Sequence, residues 1–260
     1  AALERNLRLI RDSLPQNVHY ISVVKADAYG HGIHPTAARL MQSGVDVFAV
    51  ANVQEASEIR EMGSGWPILI LGPLLAEEDK ALIDFDLIPT LSSEEELHRF
   101  KELSQKHQKQ ISVHIKIDSG MGRHGAWWQQ AEELIELVVA TEEINICGAL
   151  THFAQPLDLS FTQEQRNRFL SVLERTKIHL QNDFLVHADN SSSLRSFDRK
   201  NIFNAVRIGL LQFGISPPQE SILANLEVEP VLSFHAKLAM IKDLPKGTTL
   251  SYGRQFTLTR

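Results

Sequence analysis

Short apolar runs alternate with helical patterns along almost the whole chain, and that alternation predicts its architecture. Eight runs suit strands: YISVVKA, DVFAV, PILILG, LIPT, ISVHIKID, ICGALTHF, FLVHAD and AVRIGLL. Between them lie stretches of helical periodicity, among them NVQEASEIREM, SSEEELHRFKELSQKH, AWWQQAEELIELVVATE and FTQEQRNRFLSVLERTKIHL. The serine pair ahead of EEELHRF, with the Ser-x-x-Glu spacing of Ser92 to Glu95, predicts a capped helix start. Strict alternation of strand and helix implies parallel strands joined by right-handed crossovers. About eight βα repeats is the count of a (β/α)8 TIM barrel, a fold of roughly 250 residues. An open doubly wound sheet is disfavoured, because no Gly-x-Gly-x-x-Gly turn follows an early strand.

After Pro217-Pro218 the pattern changes. LEVEPVLSFHAKLAMIKDLPKGTTLSYGRQFTLTR holds strand-like runs broken by Pro245 and Lys246-Gly247, with no helix between them. The expectation is a barrel over residues 1–218 and, over 219–260, the incomplete start of an all-β domain. AALERNLRLIRDSL opens inside a helical pattern and SYGRQFTLTR stops in β-like sequence, so the chain is expected to be cut at both ends.

Composition narrows the function classes. Across 260 residues, 43% are hydrophobic and 22% charged, the balance of a globular protein. A net charge of -6 disfavours nucleic acid and anionic membrane as partners, and no basic cluster interleaved with aromatics appears. No apolar run approaches the ~20 residues that span a bilayer. Cys147 is the single cysteine, which excludes an intrachain disulfide or a cysteine zinc site and suits a reducing cytoplasm. No metal is expected.

Several predicted strands end in residues unsuited to a core. ISVV runs straight into Lys25; the fifth strand runs into KIDSGMGRHG with Lys116, Asp118 and Arg123. The sixth ends at His152, the seventh at His187, Asn190 and Ser191, and the eighth carries Arg207 ahead of Gly209 and Gly214. Each alone has a bland reading: a solvated strand end, a satisfied core histidine, a loop-capping aspartate. Together they would converge on the C-terminal mouth of a barrel, where such folds keep their chemistry. A lysine there can form a Schiff base with an aldehyde, while the backbone around Gly209 and the Ser191 hydroxyl can cradle a phosphate. Pyridoxal 5'-phosphate (PLP) carries both groups.

The segments VVKADAYGHG, KIDSGMGRHG, THFA, NSSS, VRIGLLQFGISP and SYGRQFT resemble, in the same order, those of bacterial alanine racemases, fold-type III PLP enzymes with an N-terminal barrel and a C-terminal β domain. The resemblance implies a cytoplasmic isomerase that interconverts L- and D-alanine for peptidoglycan precursors. It implies that Lys25 holds PLP and acts as one of two acid/bases. Tyr29, Ser191, Gly209 and Leu210 would bind the phosphate, Arg207 would face the pyridine nitrogen, and His152 would support that arginine. Arg123 would contact the cofactor's phenolic oxygen and the substrate carboxylate. Lys116 matches a lysine often carbamylated in the family. The second base of the family is a tyrosine of the C-terminal domain, donated by the partner of a homodimer; it lies beyond Arg260, and Tyr252 belongs to a different motif. The 260-residue chain is therefore expected to bind PLP but to racemise poorly.

Phe213 replaces the usual tyrosine and Ser119 the common threonine. Asp189 puts an acid where a small residue is more usual. Rival readings are a non-enzymatic PLP-binding barrel, which would not require KIDSGMGRHG, and a racemase of another amino acid such as serine. A basic amino-acid decarboxylase of the same fold type should carry an acid in place of Arg207.

Overall fold

The computed structural model describes residues 1–180, 183–194 and 202–260. Its eight principal strands are β1 (His19–Val23), β2 (Val47–Val50), β3 (Ile68–Ile70), β4 (Ile88–Leu91), β5 (Ile111–Asp118), β6 (Ile144–Leu150), β7 (Leu185–His187) and β8 (Ala205–Ile208). All pair in parallel, in the order β7-β6-β5-β4-β3-β2-β1-β8. An Asn190–Arg207 bridge closes the ring between β7 and β8. The predicted (β/α)8 barrel is the observed fold.

Helices α1 (Ala2–Ser13), α2 (Ile33–Gln42), α3 (Val53–Met62), α4 (Lys80–Asp84), α5 (Glu94–His107), α6 (Ala131–Val139) and α7 (Leu159–Thr176) surround the strands. Because the strands are covered on both faces, they read as continuous apolar runs. Tyr20, Phe48, Ile68 and Ile70 pack outward under the helices, while Ile21, Val23, Val47, Ala49, Leu69 and Ala205 form a separate inner cluster. Each side chain of this size contributes about 1.5–3 kcal/mol when fully buried. The α5 start differs by one residue from the spacing read in the sequence. Ser93, not Ser92, is the N-cap and accepts the Glu96 N–H, while the Glu96 carboxylate returns to the N–H of Ser92.

Period-two alternation fills the rest of the interior with polar groups. Val113, Ile115 and Ile117 of β5 belong to the outer core, which turns His114, Lys116 and Asp118 inward. Val186 likewise turns His187 inward, and Ala205 gives Arg207 the same facing. The barrel is thus apolar beside β1–β3 and polar beside β5–β7.

Past Pro218 the chain first returns to the barrel. Leu223 is buried, and the Asn6 side chain, wholly buried on α1, bonds both the N–H and the carbonyl of Glu229. The strand-like run after Val231 finds no ladder partner among the described residues. Phe234, Leu238 and Ile241 are exposed there, as expected of a strand without a neighbour to pair with. Only Thr249–Leu250 and Phe256–Thr257 pair, as a two-residue antiparallel ladder.

Candidate active site

A cavity of about 600 Å³ opens at the C-terminal ends of the strands. Lys25, Lys116, Arg123 and Arg207 all line it, and no carboxylate does so among the described residues. Tyr29, His152, Ser191, Gly209 and Leu210 line it too, so the residues named by the family resemblance converge on one space, whereas Asp118, His187 and Gly214, also expected at the mouth, do not line it. Four cations without an acid, in a chain of net charge -6, mark a site for an anion.

Lys25 stands where β1 ends, and the next four residues adopt a conformation no sequence signal announces. Ala26, Asp27, Ala28 and Tyr29 all have φ between 51° and 54°, a left-handed turn built without glycine. Such a conformation costs roughly 1–2 kcal/mol per residue, so it needs outside support. Glu55 supplies some: its carboxylate accepts the N–H of Ala26 at 2.7 Å and that of Ala51 at 2.8 Å. Asp27 caps the start of α2 by accepting the Ile33 N–H at 2.7 Å. The turn carries Tyr29 back over Gly209, where a Cβ would lie 2.7 Å from the phenolic oxygen. Glycine at 209 leaves that approach open.

Arg207 is buried and touches no carboxylate among the described residues. Its guanidinium donates to the carbonyls of Thr151, His187 and Ala188 at 2.8–3.0 Å, and meets His187 Nδ1 at 2.8 Å and His152 Nδ1 at 3.2 Å. A guanidinium only donates, so both histidines must accept through Nδ1 and carry their proton on Nε2. His187 Nε2 then donates to His114 Nδ1 at 2.9 Å. Burial, reinforced by the charge of Arg207, holds His114 and His152 down to about 3 and His187 well below the ordinary range. Burial lowers Arg207 itself to about 10, still far above neutrality. The bland reading of His152 as a satisfied histidine holds: its partner is the arginine.

Lys116 donates to the Leu71 carbonyl at 2.9 Å and lies 3.1 Å from His124 Nδ1. His124 Nε2 lies 3.0 Å from Ser92 Oγ, which donates onward to Glu96. Burial first, then the charges of Arg207 and Arg123, bring Lys116 down to about 8. Burial and Lys116 lower His124 to about 4.

Asp118 caps its loop, as one reading of the sequence held. Its carboxylate accepts the N–H groups of Gly120, Met121, Gly122 and Arg123 at 2.8–3.2 Å and so fixes the backbone that bears Arg123. Gly125 completes this loop at φ +127°, where a Cβ would lie 2.8 Å from the Asp118 nitrogen. Phe213 stacks on His31 with ring centroids 4.3 Å apart. Asp189 pairs with Arg166 at 2.7 Å.

The donor set suits PLP on its own chemistry: a half-buried primary amine, a hydroxyl and a bare glycine backbone at one wall, and a buried guanidinium facing inward. Residues the sequence reading passed over are His114, His124 and Gln212. Gln212 is wholly buried and ties β1 to the segment after β8 through Tyr20, Ser22 and the Val23 carbonyl. Only their polar character inside apolar runs could have marked them.

Comparison with known proteins bears on sequence and fold. The family described as "Alanine racemase, N-terminal domain" matches residues 1–217. The alanine racemase of Halothermothrix orenii is 35% identical over 263 aligned positions, which cover 100% of this chain and 69% of that protein. The solved alanine racemase of Clostridium difficile 630 superposes with a TM-score of 0.89 at 30% identity, over 99% of this chain and 68% of its own. The alanine racemase of Bacillus anthracis with bound L-Ala-P gives 0.84 at 32% identity, over 99% and 67%. On sequence and fold alike, this chain belongs to the alanine racemase family.

Proposed function

We propose that the chain binds PLP through Lys25 and supplies one of the two bases that racemise alanine. The observation that carries the proposal is the single cavity in which Lys25 and Arg207 meet Ser191 and Gly209 with no acid among the described lining residues. PLP, when bound, supplies the electron sink that makes the substrate α-proton removable.

The chain's own residues divide the remaining work. Ser191, Tyr29 and the backbone of Gly209 and Leu210 hold the phosphate. Arg207 donates a hydrogen bond to the ring nitrogen without protonating it, because its own proton is held to about 10. By leaving that nitrogen unprotonated, Arg207 would limit how much charge the ring withdraws and so favour return of the proton to Cα over side reactions. Arg123 binds the substrate carboxylate and the cofactor's phenolic oxygen. His152 fixes Arg207, and Lys25 removes or returns the proton on one face.

Lys116 is proposed as a carbamylation site. Carbon dioxide adds to the neutral amine, forming an N–C bond while the nitrogen releases one proton to solvent, and a value near 8 leaves an appreciable neutral fraction at pH 7. The carbamate would exchange a cation for an anion beside Arg123. Residues 1–218 form the cofactor barrel, and 219–260 begin a β domain. The opposite-face base is assigned to a tyrosine of the partner in a homodimer. Tyr252 is not that tyrosine, since it stands in SYGRQFT, a different motif. A reducing cytoplasm fits the lone cysteine.

The test is spectroscopic and catalytic. With PLP, an absorbance band near ~420 nm should form, resist dilution, and be absent in Lys25→Ala. D-alanine formation by this chain should be slight; full activity would refute the assignment of the second base, and an unchanged band in Lys25→Ala would refute the cofactor role.

A further inference from the structure

Asp189 is the acid that the family resemblance left without a role. Its side chain is 6% exposed, and both carboxylate oxygens accept from Arg166 Nη2, at 2.7 and 2.9 Å. The Arg166 guanidinium lies 5.0 Å from the Phe153 ring centre and 4.8 Å from that of Phe203. A largely buried ion pair, its arginine part-exposed, that also meets two aromatic faces is held in one geometry. Arg166 comes from the middle of α7, so the pair ties the helix layer to the end of β7.

What the pair holds is the support of Arg207. Three successive carbonyls serve that arginine: His187 and Ala188 accept from its guanidinium, and Asp189 accepts its main-chain N–H at 3.1 Å. The next residue, Asn190, bridges to Arg207 and accepts the N–H groups of Ser192 and Ser193 through Oδ1, shaping the turn that presents Ser191. Asp189 is therefore the joint between the ring-facing arginine and the phosphate-facing serine. Its charge also reaches Arg207, favouring the protonated guanidinium, although the two side chains share no hydrogen bond.

We propose that Arg166 and Asp189 form a charge-neutral clamp of positioning residues, which sets Arg207 and the Ser191 turn in register and leaves Arg207 as the dominant charge felt by the cofactor ring. This rests on the reading of Arg207 as the residue facing the ring nitrogen. Because the clamp is neutral, breaking it from either side must act in opposite senses. Asp189→Asn leaves an uncompensated cation near the site, and Arg166→Met leaves an anion.

The test is a pH titration of the absorbance of the PLP-loaded protein, with PLP retention measured by dilution. Asp189→Asn should lower the titration midpoint and Arg166→Met should raise it, each by up to about one pH unit, the size expected of one unit charge in a partly buried site. The double variant Arg166→Met/Asp189→Leu should return the midpoint to its original value. It should still lose PLP several-fold faster, since the turn is no longer held. Shifts of the same sign, or no shift in either single variant, would overturn the electrostatic part; native PLP retention in the double variant would overturn the positioning part. If one single variant fails to fold, the sign of the other's midpoint shift decides the electrostatic part and the double variant's retention decides the positioning part. Arg207→Lys separates the underlying reading: a midpoint and spectrum unchanged in that variant mean that Arg207 does not face the ring, whatever the clamp does. An unaltered protein that forms no band with PLP overturns both.

Discussion

Lys109 and Lys116 stand near opposite ends of β5 and meet opposite surroundings. Lys109, just before the strand, is half-exposed and reaches Asp86 at 2.6 Å beside a small cavity of about 170 Å³. Lys116, near the other end, is 6% exposed and finds a carbonyl and a neutral imidazole in place of a carboxylate. The same contrast holds for the barrel as a whole. At the N-terminal end of the strands a charge is paired; at the C-terminal mouth four cations are gathered without an acid among the described residues. A fold does not collect like charges for its own stability, and unpaired burial is expensive. The mouth is arranged for an anion.

The largest test of this contrast is acid. His114 and His152 titrate near 3 and His124 near 4, whereas an unfolded histidine titrates near 6.5. Between those values the unfolded chain binds more protons, so stability falls as pH drops through that window. At pH 5 the loss is on the order of 2 kcal/mol per imidazole relative to pH 7. Urea unfolding at the two pH values measures it. Equal midpoints would mean that the mouth holds no neutral histidine cluster.

Next comes Asp118→Ala, which strands four loop N–H groups. It should cost about 2–4 kcal/mol and weaken substrate more than PLP, because the loop carries Arg123. Urea unfolding and substrate KM measure the two effects; loss of PLP with KM intact would contradict that role. Smaller, and of opposite sign, is Lys116→Met. Removing one of four like charges should raise the stability of the PLP-free protein by about 1–3 kcal/mol while weakening PLP retention. Smallest is Lys109→Met, which should change stability by less than about 1 kcal/mol and leave PLP binding alone. Thermal melts of the two lysine variants make a direct pair. A loss of stability in Lys116→Met equal to that in Lys109→Met would erase the distinction between the two ends.

The barrel was legible because each strand is an apolar run punctuated by a helix, a pattern that local physics writes directly into sequence. The mouth was legible for a related reason: Lys25, Lys116 and Arg207 interrupt those runs where a core residue should stand. What stayed hidden depends on contacts between distant segments. Nothing near Asp189 announces Arg166, and His114 meets His187 only after the barrel closes. The left-handed turn at Ala26–Tyr29 was invisible because Ala26, Ala28 and Tyr29 carry no positive-φ preference and a lone aspartate does not announce a run of four, and it is held by Glu55 from a neighbouring helix. The one-residue slip at the α5 cap has a similar origin, since two adjacent serines offer equivalent local signals and Ser92 is drawn into contacts with Glu96 and His124.

The most direct measurement is the chemical identity of the lysine that takes the aldehyde. The PLP-loaded protein would be reduced with borohydride, digested, and its pyridoxyl-bearing peptide sequenced by mass spectrometry. The label should sit on Lys25 alone, at the lip of the four-cation cavity. A label on Lys116, or one spread over surface lysines such as Lys109, would contradict the assignment of that cavity as the cofactor site.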